Sequence, residues 1–144
     1  MALDARALLK MSAKQLDDLF SQSPPGDIPN GEGRGTAIVA PGTVYSYELS
    51  RVVNFFAWQG KVFDAKEGVL RNEILPFGLR AIIAAVSRGA SWLDGKDCIV
   101  LDYSKTSTVA HWIRDEIRYL GSGLYLGRVY WDKTPILHFC LEFS

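Results

Sequence analysis

The stretch Leu124-Tyr125-Leu126-Gly127-Arg128-Val129-Tyr130-Trp131, then Asp132-Lys133, then Pro135-Ile136-Leu137-His138-Phe139-Cys140-Leu141-Glu142-Phe143 decides the reading of the fold. Both arms are rich in aromatic and branched residues, and the two polar residues between them leave room only for a tight turn, so the arms pair as an antiparallel hairpin. The second arm alternates. Leu137, Phe139, Leu141 and Phe143 take one face, while Ile136, His138, Cys140 and Glu142 take the other. One face of such a strand lines the interior of a closed sheet and the other meets water or covering helices; the pattern leaves open which is which.

Working outward, Gly121-Ser122-Gly123 and Asp94-Gly95 are further turn signals. They divide the chain beyond Gly60 into strands over 61–64, 69–75, 79–93, 96–103, 111–120, 124–131 and 135–143. Short turns between neighbours make these an antiparallel meander. Two segments also fit a helix. Residues 81–86 are alanine-rich, and Val109, Ile113, Ile117 and Leu120 would line one helical face; both are read as strands. Towards the N-terminus, apolar residues over 8–20 form an amphipathic helix, with Ser12 placed to cap a second turn. The Pro/Gly-rich segment 21–35 reads as a loop and 36–40 as a short strand. Leu49, Val52, Val53 and Phe56 predict a short helix over 46–57, ended near Gly60. Counting 36–40 gives about eight strands, the number at which an up-and-down barrel leaves room for side chains or one small ligand. The expected fold is mainly β, with an N-terminal helix and one short helix covering an antiparallel barrel.

The chain has 144 residues, the size of a single domain with one real core; residues 1–35 are read as its N-terminal helix and loop and 36–144 as its barrel. Sixteen basic and sixteen acidic side chains cancel, which removes the field needed to hold a polyanion, so nucleic acid is not an expected partner. No apolar run reaches the length that spans a bilayer, and the first ten residues lack the apolar core of a signal peptide. No membrane association and a cytoplasmic location are expected. Cys98 and Cys140 are the only cysteines, too few for a disulfide scaffold or a structural zinc site, and are read as buried free thiols.

Trp58-Gln59-Gly60-Lys61-Val62-Phe63, the strand Cys98-Ile99-Val100-Leu101-Asp102-Tyr103, and the pairing of 113–118 with Leu124-Tyr125-Leu126-Gly127 resemble the small bacterial lipocalin-like proteins that combine a Gly-x-Trp-x-Gly motif with a domain of unknown function. Gly31-Glu32-Gly33-Arg34-Gly35 keeps the glycines of the first motif but has no tryptophan. The resemblance implies a calycin-type barrel with an interior cavity, and it implies little about activity.

The glycines of 26–35 are followed by no Gly-Lys-Ser/Thr, which excludes a phosphate loop, and no Gly-x-Ser-x-Gly marks a serine nucleophile. His111 and His138 sit in no metal-ligand spacing, so neither a metal nor a cofactor is expected. The candidate catalytic groups are carboxylates. Asp115 alternates with Ile113 and Ile117, and Asp102 shares parity with Cys98 and Val100, so both are read as pointing towards the core. There each needs a partner such as Tyr103, Arg118, Arg128 or His138. Such a carboxyl either braces neighbouring strands through hydrogen bonds or, in an apolar pocket, serves as acid or base, with His138 or His111 assisting and Tyr103 or Arg118 stabilising charge. The row Arg114, Glu116 and Arg118 reads as a solvated outer face. Candidate ligand-lining residues are Trp58, Lys61, Phe63, Trp92, Trp112, Tyr125, Trp131 and Cys140, with Lys61 expected at a solvated barrel mouth. Three functions stay open: binding of a hydrophobic small molecule of lipid, polyketide or terpenoid type; a cofactor-independent isomerase, cyclase or hydrolase using the same cavity; or a homodimer with a filled barrel.

Overall fold

The structure, a computed structural model, describes residues 3–39, 60–72, 82–104 and 112–144. The expected helix over 46–57, Trp58 and His111 lie outside these residues. Eight antiparallel strands close into a barrel in simple sequence order: β1 (Gly31–Ile38), β2 (Gly60–Asp64), β3 (Val69–Asn72), β4 (Ile82–Ala90), β5 (Asp97–Asp102), β6 (Ile113–Gly121), β7 (Leu124–Trp131) and β8 (Thr134–Phe143). Closure is made by β1, whose far edge pairs with β8 from Gly33↔Phe143 to Ile38↔His138. Both ambiguous segments are strands where they are described.

The N-terminal helix is two helices, α1 (Ala5–Leu9) and α2 (Ala13–Gln22). The break has a local cause. Ser12 adopts an extended conformation, its side chain accepts the Gln15 N–H, and the Gln15 side chain accepts the Ser12 N–H. This reciprocal box starts a new helix instead of continuing the old one. Leu8, Leu16 and Phe20 then pack on the outer wall of the barrel against Ile38, Cys98, Val100, Leu124, Leu126 and Cys140. Cys98 and Cys140 are free thiols buried in this outer layer.

The second core lies inside the barrel, where Phe63, Leu70, Ile99, Leu101, Ile113, Ile117, Val129, Leu137, Phe139 and Leu141 come together. The odd-numbered face of β8 therefore points inward. β1 differs from expectation in starting at Gly31, inside the segment read as a loop. Register explains why glycines suit it. Gly31, Gly33, Gly35 and Ala37 face the lumen opposite Phe63, Phe143, Leu141 and Phe139, while Glu32 and Arg34 point out. A Cβ on Gly33 would lie 2.6 Å from the Phe143 ring, and one on Gly127 would land in the ring of Phe139, which is 1% exposed. Gly127→Ala is accordingly expected to destabilise the fold by about 1–3 kcal/mol, read as a lower denaturant midpoint; an unchanged midpoint would show that the Phe139 ring can swing away.

The two ends of the barrel differ. At one end the strands are joined by the short turns 65–68, 91–96 and 122–123. Residues 23–30 cross this end: the Tyr119 N–H bonds the Pro24 carbonyl, Arg88 the Gly26 carbonyl and the Tyr125 hydroxyl the Asp27 carbonyl. Ile28 packs on the lumenal core there, and Tyr119, Tyr125, Phe143 and Phe63 form a chain of ring contacts with centroids 5.0–5.6 Å apart. At the other end β1, β3 and β5 finish and β2, β4 and β6 begin, so the longest connections in the sequence all leave from that side. Only the β7–β8 turn there is short. Its Asp132 and Lys133 both have positive φ, 45° and 73°, the conformation of a tight two-residue hairpin turn.

Candidate functional site

Three polar side chains lie inside the apolar barrel. Lys61 and Asp115 are fully buried, as is Tyr103. Lys61 is the second residue of β2, Asp115 the third of β6, and Tyr103 follows the last residue of β5, so all three sit towards the end from which the long connections leave. Strand parity puts them there. Lys61 shares a face with Phe63, Asp115 with Ile113 and Ile117, and Tyr103 with Leu101 and Ile99, all of which line the lumen.

Burial dominates the electrostatics of this group. It pushes the Asp115 carboxyl up and the Lys61 ammonium down; each is partly restored by the other's charge, and the Tyr103 hydroxyl also favours the Asp115 carboxylate. The two groups are thus drawn towards each other and towards neutrality. A buried carboxylate is tolerated only with partners of this kind around it, and the three side chains form one polar group inside the apolar barrel.

The other expected site residues are elsewhere. Asp102 is exposed, and its Oδ1 accepts the Ser104 N–H at 2.8 Å. It does share the outer face of Cys98 and Val100, but those two are covered by the helices and Asp102 is not among the residues of that layer. His138 is outside the barrel, its Nε2 2.6 Å from Asp17 Oδ1 on α2. The same Asp17 oxygen meets Arg128 Nε at 3.0 Å, and Arg128 also donates to the Tyr130 hydroxyl. Burial lowers the His138 pKa, and Asp17 opposes the shift. These contacts tie α2 to β7 and β8. Asp102, Asp115 and His138 therefore do not meet, and neither His138 nor Arg128 partners Asp115.

Arg118 is 1% exposed and is a clamp on the outer wall, not a charge stabiliser within the lumen. It makes two bonds to Asp94, at 2.7 and 2.8 Å, and others to the carbonyls of Phe20, Lys96 and Asp97, with its guanidinium over the Phe20 ring. Glu116, fully buried, accepts from Ser91 Oγ, the Trp92 N–H and Arg114. The row expected to be solvated is instead largely covered, because the β4–β5 turn and the end of α2 fold over it.

Among the expected ligand-lining residues, Lys61, Phe63, Tyr125 and Trp131 belong to the lumenal side, Tyr125 as part of the closed end. Lys61 is not at a solvated mouth but inside. Trp92 and Trp112 are half exposed on the outside, where Arg114 stacks on Trp92 at 4.3 Å. Trp92 borders an open outer groove of about 530 Å³ with Leu93, Arg128, Tyr130, Lys133 and Pro135. Cys140 lies beneath the helices, where burial raises its thiol to about 11, and Cys98, on β5 in the same layer, is raised to about 12; neither thiol is poised for nucleophilic chemistry. Among the described residues, no three His, Cys, Asp or Glu side chains gather as metal ligands, and no helix is long and apolar enough to cross a membrane. The Lys61–Asp115–Tyr103 grouping joins β2 to the neighbouring strands β5 and β6. Its sequence signal was the alternation of Lys61 with Phe63, which marks an inward lysine once the inward face is known.

A closed eight-stranded barrel with its helices on the outer wall is the feature that other structures can match. A protein from Thermomonospora curvata has a similar fold. Its crystal structure superposes with a TM-score of 0.61 at 18% identity, covering 93% of this chain and 88% of that one. At that identity the likeness speaks for the fold alone. No protein-family model and no curated protein matches the sequence.

Proposed function

We propose that the barrel binds an apolar small molecule whose polar head meets Asp115, Lys61 and Tyr103. The observation that carries this reading is the gathering of a carboxyl, an amine and a phenol, all three fully buried, on the inner wall of an otherwise apolar barrel. Leu101, Ile113, Val129 and Leu137 belong to the apolar core on the same inner wall and would meet the apolar part of the molecule. The resemblance to lipocalin-like proteins fits this assignment. A head group that donates a hydrogen bond, such as a hydroxyl or enol, satisfies Asp115, and one that accepts is served by Lys61 and Tyr103.

Calorimetric titration with octan-1-ol tests the reading. Binding is expected with a negative heat-capacity change, the mark of apolar burial. Asp115→Leu is expected to weaken it by about 1–2 kcal/mol, roughly tenfold, by removing the acceptor for the hydroxyl. Absence of binding by the wild type, together with a ligand-free mass when the protein is purified without denaturation, would sink the proposal.

A second reading is supported by the opposed shifts of Asp115 and Lys61. An acid and a base drawn towards neutrality in one apolar chamber can exchange protons with a bound molecule, as a cofactor-independent isomerase or cyclase requires. Turnover distinguishes it: an enzyme returns a molecule different from the one bound, and Asp115→Asn abolishes the conversion.

A further inference from the structure

We propose that the outer groove between the β4–β5 and β7–β8 turns binds a small aromatic carboxylate, its ring against Trp92 and Tyr130 and its charge on Lys133. This site is on the outer wall and does not depend on the lumenal reading. Its described lining, Trp92, Leu93, Arg128, Tyr130, Lys133 and Pro135, bounds about 530 Å³, a volume typical of small-molecule sites. The aromatic wall is held in place from beneath. Glu116, fully buried, accepts from Ser91 Oγ at 2.7 Å and from the Trp92 N–H at 2.8 Å, which pins the β4–β5 turn onto β6. Arg114 bonds the same carboxylate and stacks on the Trp92 ring. Trp92 is nevertheless 49% exposed. Its ring and that of Tyr130 have centroids 5.0 Å apart and planes at 69°, so they form a corner where a flat ring laid against one meets the other edge to face.

The sign of the ligand's charge follows from which side chains line the groove. Two cations do, and among the described residues no carboxylate does. Asp17, the partner of Arg128, is on α2 and is shared with His138; Glu116 is turned to Ser91, Trp92 and Arg114; Asp132 borders a second groove. Arg128 is 5% exposed and anchored by Asp17 and the Tyr130 hydroxyl, so it supplies a fixed positive field beneath the groove. Lys133 is the arm that reaches. It is exposed and makes no ion pair among the described residues. Its backbone is an independent observation. With φ 73°, Lys133 holds the second central position of a two-residue turn, where glycine is favoured and a side chain is strained. Strain kept at a residue that brings a cation to the lip of an aromatic groove points to a use for that side chain.

An NMR titration of the full 144-residue chain with naphthalene-2-carboxylate tests this. The Trp92 indole signal, identified by its loss in Trp92→Phe, and the Lys133 amide signal are expected to move together, with a dissociation constant of about 1 mM or lower. Naphthalene-2-methanol keeps the ring without the charge and should bind about two- to fivefold more weakly. Cyclohexanecarboxylate keeps the charge without the aromatic face and should bind about two- to tenfold more weakly. Lys133→Gly is expected to relax the turn and raise the denaturant midpoint, while weakening the acid about two- to fivefold and leaving the alcohol unchanged. A lysine with a merely structural role would not give those opposite effects. Octan-1-ol should not displace the acid, since the groove is outside the barrel. Naphthalene-2-carboxylate that leaves the Trp92 and Lys133 signals in place would overturn the site. Equal affinity for acid and alcohol would overturn its selection of an anion, and displacement by octan-1-ol its place on the outer wall. The wild-type comparison of the three ligands decides the matter even if a variant fails to fold.

Discussion

A Lys61→Met/Asp115→Leu double variant is expected to be more stable than the wild type by about 1–4 kcal/mol, a melting temperature higher by roughly 3–10 °C, and to lose ligand binding. Both side chains are fully buried in an apolar lumen, where charges cost more than apolar groups of like size. The gain should depend on pH. Asp115 is raised from 3.8 by burial, so the folded state holds its proton more tightly than the unfolded chain, and the group's penalty grows as pH rises above about 4. Lys61 is lowered from 10.5 by burial, so its penalty is largest at low pH and fades as pH rises towards 10.5. Both penalties, with the partial relief each gives the other, coexist around neutrality, and the advantage of the double variant should change on either side. Thermal melts across pH read this directly. A double variant less stable than wild type would show that the pair braces the strands, and the functional reading of Asp115 would lose its main support.

The second large effect is at the outer clamp. Arg118→Ala should cost about 3 kcal/mol, the lower end for breaking a buried pair, because the Asp94 side chain it leaves behind is 15% exposed. The loss should alter the acid limb of the stability curve. Hydrogen bonding to Arg118, the largest influence on it, holds the Asp94 carboxyl down at about 2. The unfolded chain therefore takes up this proton first as pH falls, and the wild type loses about 2 kcal/mol between pH 4 and pH 2. In Arg118→Ala that decline should be much shallower. Urea midpoints at pH 7 and pH 3 measure both effects, and parallel curves would rule out the clamp as their source. Because Arg118 is on the outer wall, octan-1-ol binding per folded molecule should survive. That separates it from Asp115, its neighbour three residues earlier on the same strand.

The contrast between these neighbours marks how far local pattern reaches. The alternation of 135–143, the tight turn at 132–133 and the inward parity of Asp115 were all legible in the sequence, because a strand's side chains alternate whatever surrounds it. The same rule assigned Arg118 to the opposite face, whereas Lys61, expected at a solvated mouth, is buried on the face of Phe63. What it could not assign was whether a face is wet. Arg118 and Glu116 are outward but covered, by the end of α2 and the β4–β5 turn, whereas Asp102 is outward and exposed. Parity grouped each residue with its true neighbours, but Asp102, read as pointing towards the core, is on the outer face, and the covering layer was supplied by chain from tens of residues away.

The glycines of β1 fail to announce a strand for a related reason. Isolated glycine favours turns, and Gly31 to Gly35 reads as loop until the Phe143 and Phe139 rings are placed against the inner wall. The sequence by itself determined the meander, the hairpin of β7 and β8, the outer thiols' lack of a disulfide framework and the inward aspartate. Tertiary structure alone decided that, of the candidate partners of Asp115, Tyr103 is inside the barrel and His138, Arg118 and Arg128 are not, and that Lys61 joins them there. Closing a barrel brings β2, β5 and β6 to one chamber by register and shear, and those depend on the summed pairing of all eight strands, which no local spacing encodes.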